Sequence, residues 1–97
     1  MGLAGARGVV RLVNTSGRGV LCLAGDVTEQ VVAEFHTDHG REPHPVDAVD
    51  AGSVTAPSPA ALDLVLDHLD AAARQGRVIT VRRSPAVVRL LATARRT

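Results

Sequence analysis

Apolar and polar positions alternate along this chain in short blocks, and the blocks change period. Val9, Val10, Leu12 and Val13, with Arg11 between them, predict a strand, and Val20 to Leu23 predict a second. Asn14, Thr15, Ser16 and Gly17 form the turn cluster between them, so the two strands read as a hairpin, with Gly25 ending the second. The period then becomes helical. Val27, Val31 and Phe35, with Val32 beside them, predict a core-facing stripe. Asp26 reads as the N-cap of this helix, paired with Glu29 in a capping-box-like arrangement, and Gly40 as its stop.

Beyond a polar loop from Arg41 to Pro45, Val46 to Asp50 predicts a short strand, although Asp47 and Asp50 are poor strand formers. Residues 51–57, rich in small residues, read as a loop. Ser58–Pro59 then opens a strongly signalled helix, with serine as cap and proline in the first turn, where a missing N–H costs nothing. Leu62, Val65, Leu66, Leu69 and Ala73 form its predicted apolar stripe, with Asp63, Asp67, Asp70 and Arg74 on the wet side. Gly76 stops it. Arg77 to Arg82, containing Val78, Ile79 and Val81, predicts a strand. Ser84–Pro85 repeats the cap pattern ahead of Val87, Val88, Leu90 and Leu91. The order is β-β-α-β-α-β-α, which implies a mixed, largely parallel sheet of the α/β class with helices packed on it. Residues 1–7 read as a flexible tail and residues 8–97 as a single domain, since 97 residues suffice for one.

Composition narrows the chemistry. Phe35 is the only aromatic residue among Phe, Tyr and Trp, so the core rests on aliphatic side chains, and there is no platform on which bases could stack. The net charge of +1 gives no general attraction to nucleic acid or to a membrane surface. All eleven basic residues are Arg, a usage that suggests a GC-rich bacterial genome. Cys22 is the single cysteine, so no intrachain disulfide is expected. Met1 to Arg7 has no apolar core of a signal peptide, and no apolar run reaches the roughly 20 residues needed to span a bilayer. A cytoplasmic domain without membrane insertion is the expectation.

Several segments, in order, resemble the STAS domain of bacterial anti-sigma factor antagonists. Leu21-Cys22-Leu23-Ala24-Gly25-Asp26 is similar to that family's strand ending in Leu-x-Gly before an acidic residue. Asp50 to Leu66 resembles its central strand, switch loop and second helix. Arg74-Gln75-Gly76-Arg77, with Val78 to Val81 and Ser84-Pro85-Ala86-Val87, resembles its closing strand and final helix. The resemblance runs from about Val9 to Leu91 and implies a STAS-like fold. In that family an Asp-Ser-Ser-Gly-Leu run precedes helix two, and its second serine is phosphorylated by a partner kinase that is also the anti-sigma factor. With Leu62 on the family's leucine, Ser58 falls on the Asp, Pro59 and Ala60 on the serines, and Ala61 on the glycine. Ala60 then stands at the phosphoacceptor place without a hydroxyl. A two-residue slip would put Ser58 there instead, at the cost of the leucine match. For the preceding strand, Asp50 marks the end in the ungapped register. Asp47 marks it if the loop is three residues longer.

The resemblance therefore implies a non-enzymatic, partner-switching type of regulator of transcription. It would dock on a GHKL-type anti-sigma factor through Asp26, Ser58, Pro59, Ala60, Ala61 and Asp63, with Ser58 as the one phosphorylation candidate. The alternative implied by the same family is an accessory subunit of a lipid-transport ABC machine or another assembly, and a homodimer is open. No cofactor is implied. His36, His39 and His44 with Cys22 lack a compact ligand spacing, so no metal site is expected, and His36 and His39 read as a solvated helix end. Cys22, between Leu21 and Leu23, reads as a strand residue rather than an activated thiolate. Gly17, Gly19 and Gly25 read as strand-boundary residues, not a phosphate cradle. Arg82, Arg83, Arg89, Arg95 and Arg96 cluster late in the chain, where basic residues suit a helix C-terminus, and no nucleic-acid contact is expected from them.

Overall fold

The computed structural model describes residues 8–95, so the tail expected over residues 1–7, and Arg96 of the expected arginine cluster, lie outside the described residues. The element order is the one that the pattern predicts: β1 (Val9–Thr15), β2 (Arg18–Val27), α1 (Glu29–His39), β3 (Ala48–Pro57), α2 (Pro59–Arg74), β4 (Thr80–Arg83) and α3 (Pro85–Arg95). The sheet order is β1-β2-β3-β4, with β1 antiparallel to β2 and the other two pairs parallel. Thr15 pairs with Arg18, and Ser16 (φ 53) and Gly17 (φ 77) form the two-residue turn between them. Two positive φ values are those of a type I′ turn, whose twist matches that of the flanking strands.

Strand order increases steadily from β2 to β4, and both parallel connections run through a helix. Right-handed crossovers in the same direction put α1 and α2 on the same face of the sheet. One core results. Leu21, Leu23 and Val27 of β2 and Val49, Ala51 and Val54 of β3 meet Val31, Val32 and Phe35 of α1, Ala61, Leu64 and Val65 of α2, and Val87 of α3. Among the described residues no element covers the other sheet face. Across it runs the registered row Arg11, Cys22, Asp50 and Arg82, with Val9 and Val13 exposed beside it.

Several expected boundaries move. Asp26 is not a helix cap: its backbone is extended and paired with Ala56, and the cap is Thr28, whose Oγ1 accepts from the Val31 N–H at 3.2 Å. Gly25 does not end β2 either, because the strand runs on to Val27. Residues 51–57 are not a loop but the greater part of β3, which carries ten residues. They hide as a strand because β3 bulges twice against β2. Cys22 and Ala24 pair with Asp50 and Ser53, and Gly25 and Asp26 with Val54 and Ala56. Each bulge breaks the period-two alternation that would mark a strand. Neither candidate marks the strand end: Asp47 precedes β3 and Asp50 lies within it. The final strand is shorter than expected and starts at Thr80: the Arg77 N–H still donates to the Ala72 carbonyl of α2 at 2.9 Å, and Val78 beyond it is almost fully exposed.

Helix α2 is also rolled relative to its predicted stripe. Its buried residues are Ala61, Leu64, Val65, His68 and Ala72, while Leu66 and Ala73 are exposed and Leu62 and Leu69 half-buried. The small Ala61 and Ala72 face inward. The leucines instead border a groove of about 670 Å³ beside α3, which Val81, Val87 and Leu91 complete. The wet side is as expected: Asp63, Asp67, Asp70 and Arg74 are exposed, and Arg74 pairs with Asp70 at 2.6 Å.

Candidate functional site

The C-terminal edge of the parallel strands is where the sequence-predicted docking residues meet. Asp26 lies beside Ala56, and Val27 beside Pro57, so the end of β2 is held next to the residue that leads into Ser58. Thr28 caps α1 and Ser58 caps α2, and the Ser58 Oγ accepts from the Ala61 N–H at 3.1 Å. Two helix N-termini, with their remaining free N–H groups, thus open on one edge. Gly8 closes the edge from the β1 side: a Cβ there would collide with the Asp26 carbonyl.

Of the six candidates, Asp26, Pro59 and Asp63 are exposed, and Ser58 and Ala60 are half-buried. Ala61 is different. It is 3 % exposed, so its methyl belongs to the core and only its backbone reaches the edge. A groove of about 450 Å³ continues from this edge between α1 and α2, bordered by Glu29, His36, Arg41, Ala60, Asp63 and Asp67. The surface it offers is acidic along α2, with Arg41 opposite. The oxygen of Ser58 is engaged as an acceptor by the cap, while its O–H proton remains free to be donated.

At the opposite edge Asp47 ties three strands together. Its Oδ2 accepts from the Gly19 N–H at 2.9 Å, its N–H donates to the Gly19 carbonyl at 2.8 Å, its carbonyl accepts from the Thr80 N–H, and Arg77 stands 3.8 Å from its Oδ1. Of the arginines expected to cluster near the C-terminus, Arg82 and Arg83 part company. Arg82 lies on the open sheet face, 3.9 Å from the Asp50 carboxylate, while Arg83 borders the α2–α3 groove. Cys22 is half-buried on the open face. Burial and the neighbouring Asp50 carboxylate push its pKa up against the weaker opposing pull of Arg11, so the thiol form is favoured.

The histidines are not simply a solvated helix end. His36 and His39 tilt against Phe35, with His39 only 4.7 Å away between ring centroids, and His44 meets the same ring edge-on at 5.8 Å. Sequence reasoning passed over His68, which is 2 % exposed and stacked 5.8 Å from His44. Its spacing of four from Leu64 and from Ala72 puts the three on one helix face, and the roll of α2 turns that face inward. Among the described residues no group of three or more His, Cys, Asp or Glu side chains is arranged to hold a metal ion, and no helix is long and apolar enough to cross a membrane. No protein-family model, no curated protein and no solved structure matches the chain.

Proposed function

We propose that the chain is a STAS-like, non-enzymatic regulator in the bacterial cytoplasm that docks on an anti-sigma factor of the GHKL type without a serine phosphorylation switch. The observation that carries this reading is the β2–β3 register, which brings Asp26 beside the strand end leading to Ser58, Pro59 and Ala60. That edge presents a rigid proline, a small alanine and flanking carboxylates around two capped helix starts. Close approach of a partner's backbone is favoured there, and no hydroxyl occupies position 60. Ser58 serves as the cap of α2, which accounts for it without a phosphate.

Incubation of the full chain with its cognate kinase and ATP, followed by mass spectrometry and a binding titration, tests the proposal. A complex unaffected by ATP, no phosphate on residues 55–60, and affinity reduced at least about tenfold by Asp63→Arg are expected, tenfold being about 1.4 kcal/mol. A phosphate on any of those residues would sink it.

A second reading, a structural subunit of an assembly such as a lipid-transport ABC machine, draws on another observation. Leu66 is 44 % exposed and Val88 50 % exposed, one on each helix bordering the α2–α3 groove. Capture from the native cell separates the two: an anti-sigma factor supports the first, transporter subunits the second.

A further inference from the structure

All four histidines of the chain lie around Phe35 and the connection from Gly40 to Val46. The hydrogen bonds of His68 fix its protonation state. Its Nδ1 is 2.8 Å from the Leu64 carbonyl, which can only accept, so Nδ1 carries a proton. Its Nε2 is 3.0 Å from the His44 backbone N–H, which can only donate, so Nε2 is bare. Both positions are used, and only the neutral ring satisfies both. A proton added at Nε2 would set two donors against each other in a buried site.

Little around the ring would compensate such a charge. On α2, Asp67 is the one carboxylate acting on it. From α1 the facing groups are His36 and, across Phe35, His39. From the connection they are the stacked His44 and Arg41 at the neighbouring groove. Just ahead of β3, the Asp47 carboxylate is engaged by the Gly19 N–H and by Arg77. Burial, foremost, together with His44 and His36, lowers the pKa of His68 against the opposing Leu64 hydrogen bond and Asp67. The Nε2 of the stacked His44 is itself buried with no hydrogen-bond partner among the described residues. The connection itself has two fixed ends, Gly40 at φ 85 and Val46 at 2 % exposure, and a short span between them that the His44 amide ties to α2.

We propose that His68 is a protonation-sensitive latch for residues 41–45. With the ring neutral, Nε2 holds the His44 amide; a proton taken from solvent at Nε2 breaks that bond and frees the span between Gly40 and Val46. The sign follows from linkage. The folded-state pKa lies below the unfolded value of about 6.5, so the latch is closed above that value and opens as pH falls through the folded pKa.

An NMR titration of the full chain tests it. The neutral ring is expected as the Nδ1–H tautomer, with a midpoint below about 6.5. The His44 amide and the resonances of residues 41–45 should move with that same midpoint while Asp26 and Ser58 do not. In His44→Ala, which keeps the backbone N–H and removes the ring, the coupled transition should persist with its midpoint raised. A His68 midpoint at or above its ordinary value overturns the latch. So does a His44 amide that ignores the titration, or loss of the coupling in His44→Ala.

Discussion

At Gly25 the backbone takes φ 73 inside a ten-residue strand, two positions before its end and next to a register shift. Side chains with a Cβ resist that region by about 1–2 kcal/mol. Gly25→Ala is therefore expected to lower stability by about that amount in urea denaturation, with Tm falling about 4–8 °C per kcal/mol for a domain of this size. The serine caps are readable at the same scale. Ser58–Pro59 and Ser84–Pro85 announce their helices, and each serine accepts the N–H three residues on. The cap of α1 was not readable in the same way. Asp26 and Thr28 are both good capping residues, and sheet pairing of Asp26 with Ala56, a contact remote in sequence, chooses Thr28. His68 shows the same limit, since only the roll of α2 decides that a polar ring points inward.

Among the elements, β3 departs furthest from its sequence pattern. Its core residues are Val49, Ala51 and Val54, a spacing of two and then three, and the Gly52-Ser53 pair between the last two carries no strand signal. The first half of β3 is easier to place because Asp47 anchors it. Removing that carboxylate leaves the half-buried Gly19 N–H without its side-chain acceptor, which costs about 1 kcal/mol. The Arg77 contact adds little, since both side chains are more than a third exposed. Asp47→Ala is expected to shift the urea midpoint accordingly, and Asp47→Asn, which keeps an acceptor oxygen, to recover most of the loss.

For the molecule as a whole, the steady order β1-β2-β3-β4 puts the three described helices on one side and leaves the row of Arg11, Cys22, Asp50 and Arg82 on the face that no described element covers. The mixed, largely parallel character of the sheet is legible from the element order, whereas the strand order, and with it the shared face of the helices, comes from the strand pairings themselves. The candidate edge was legible in part: its residues were named, but the inward turn of Ala61 depends on how α2 settles on the core. The two bulges of β3 have a further consequence for how the protein breathes. Val20, Leu21 and Cys22 sit in unbroken register with Ala48, Val49 and Asp50, next to the Asp47 tie, whereas the ladder from Ala24 to Val27 is interrupted twice. Local opening follows missing hydrogen bonds. Amide hydrogen exchange should therefore quicken along β2 from Leu21 toward Val27, a gradient measurable residue by residue. The end of the sheet proposed to receive a partner is then also the end that opens first, and a bound partner should flatten the gradient.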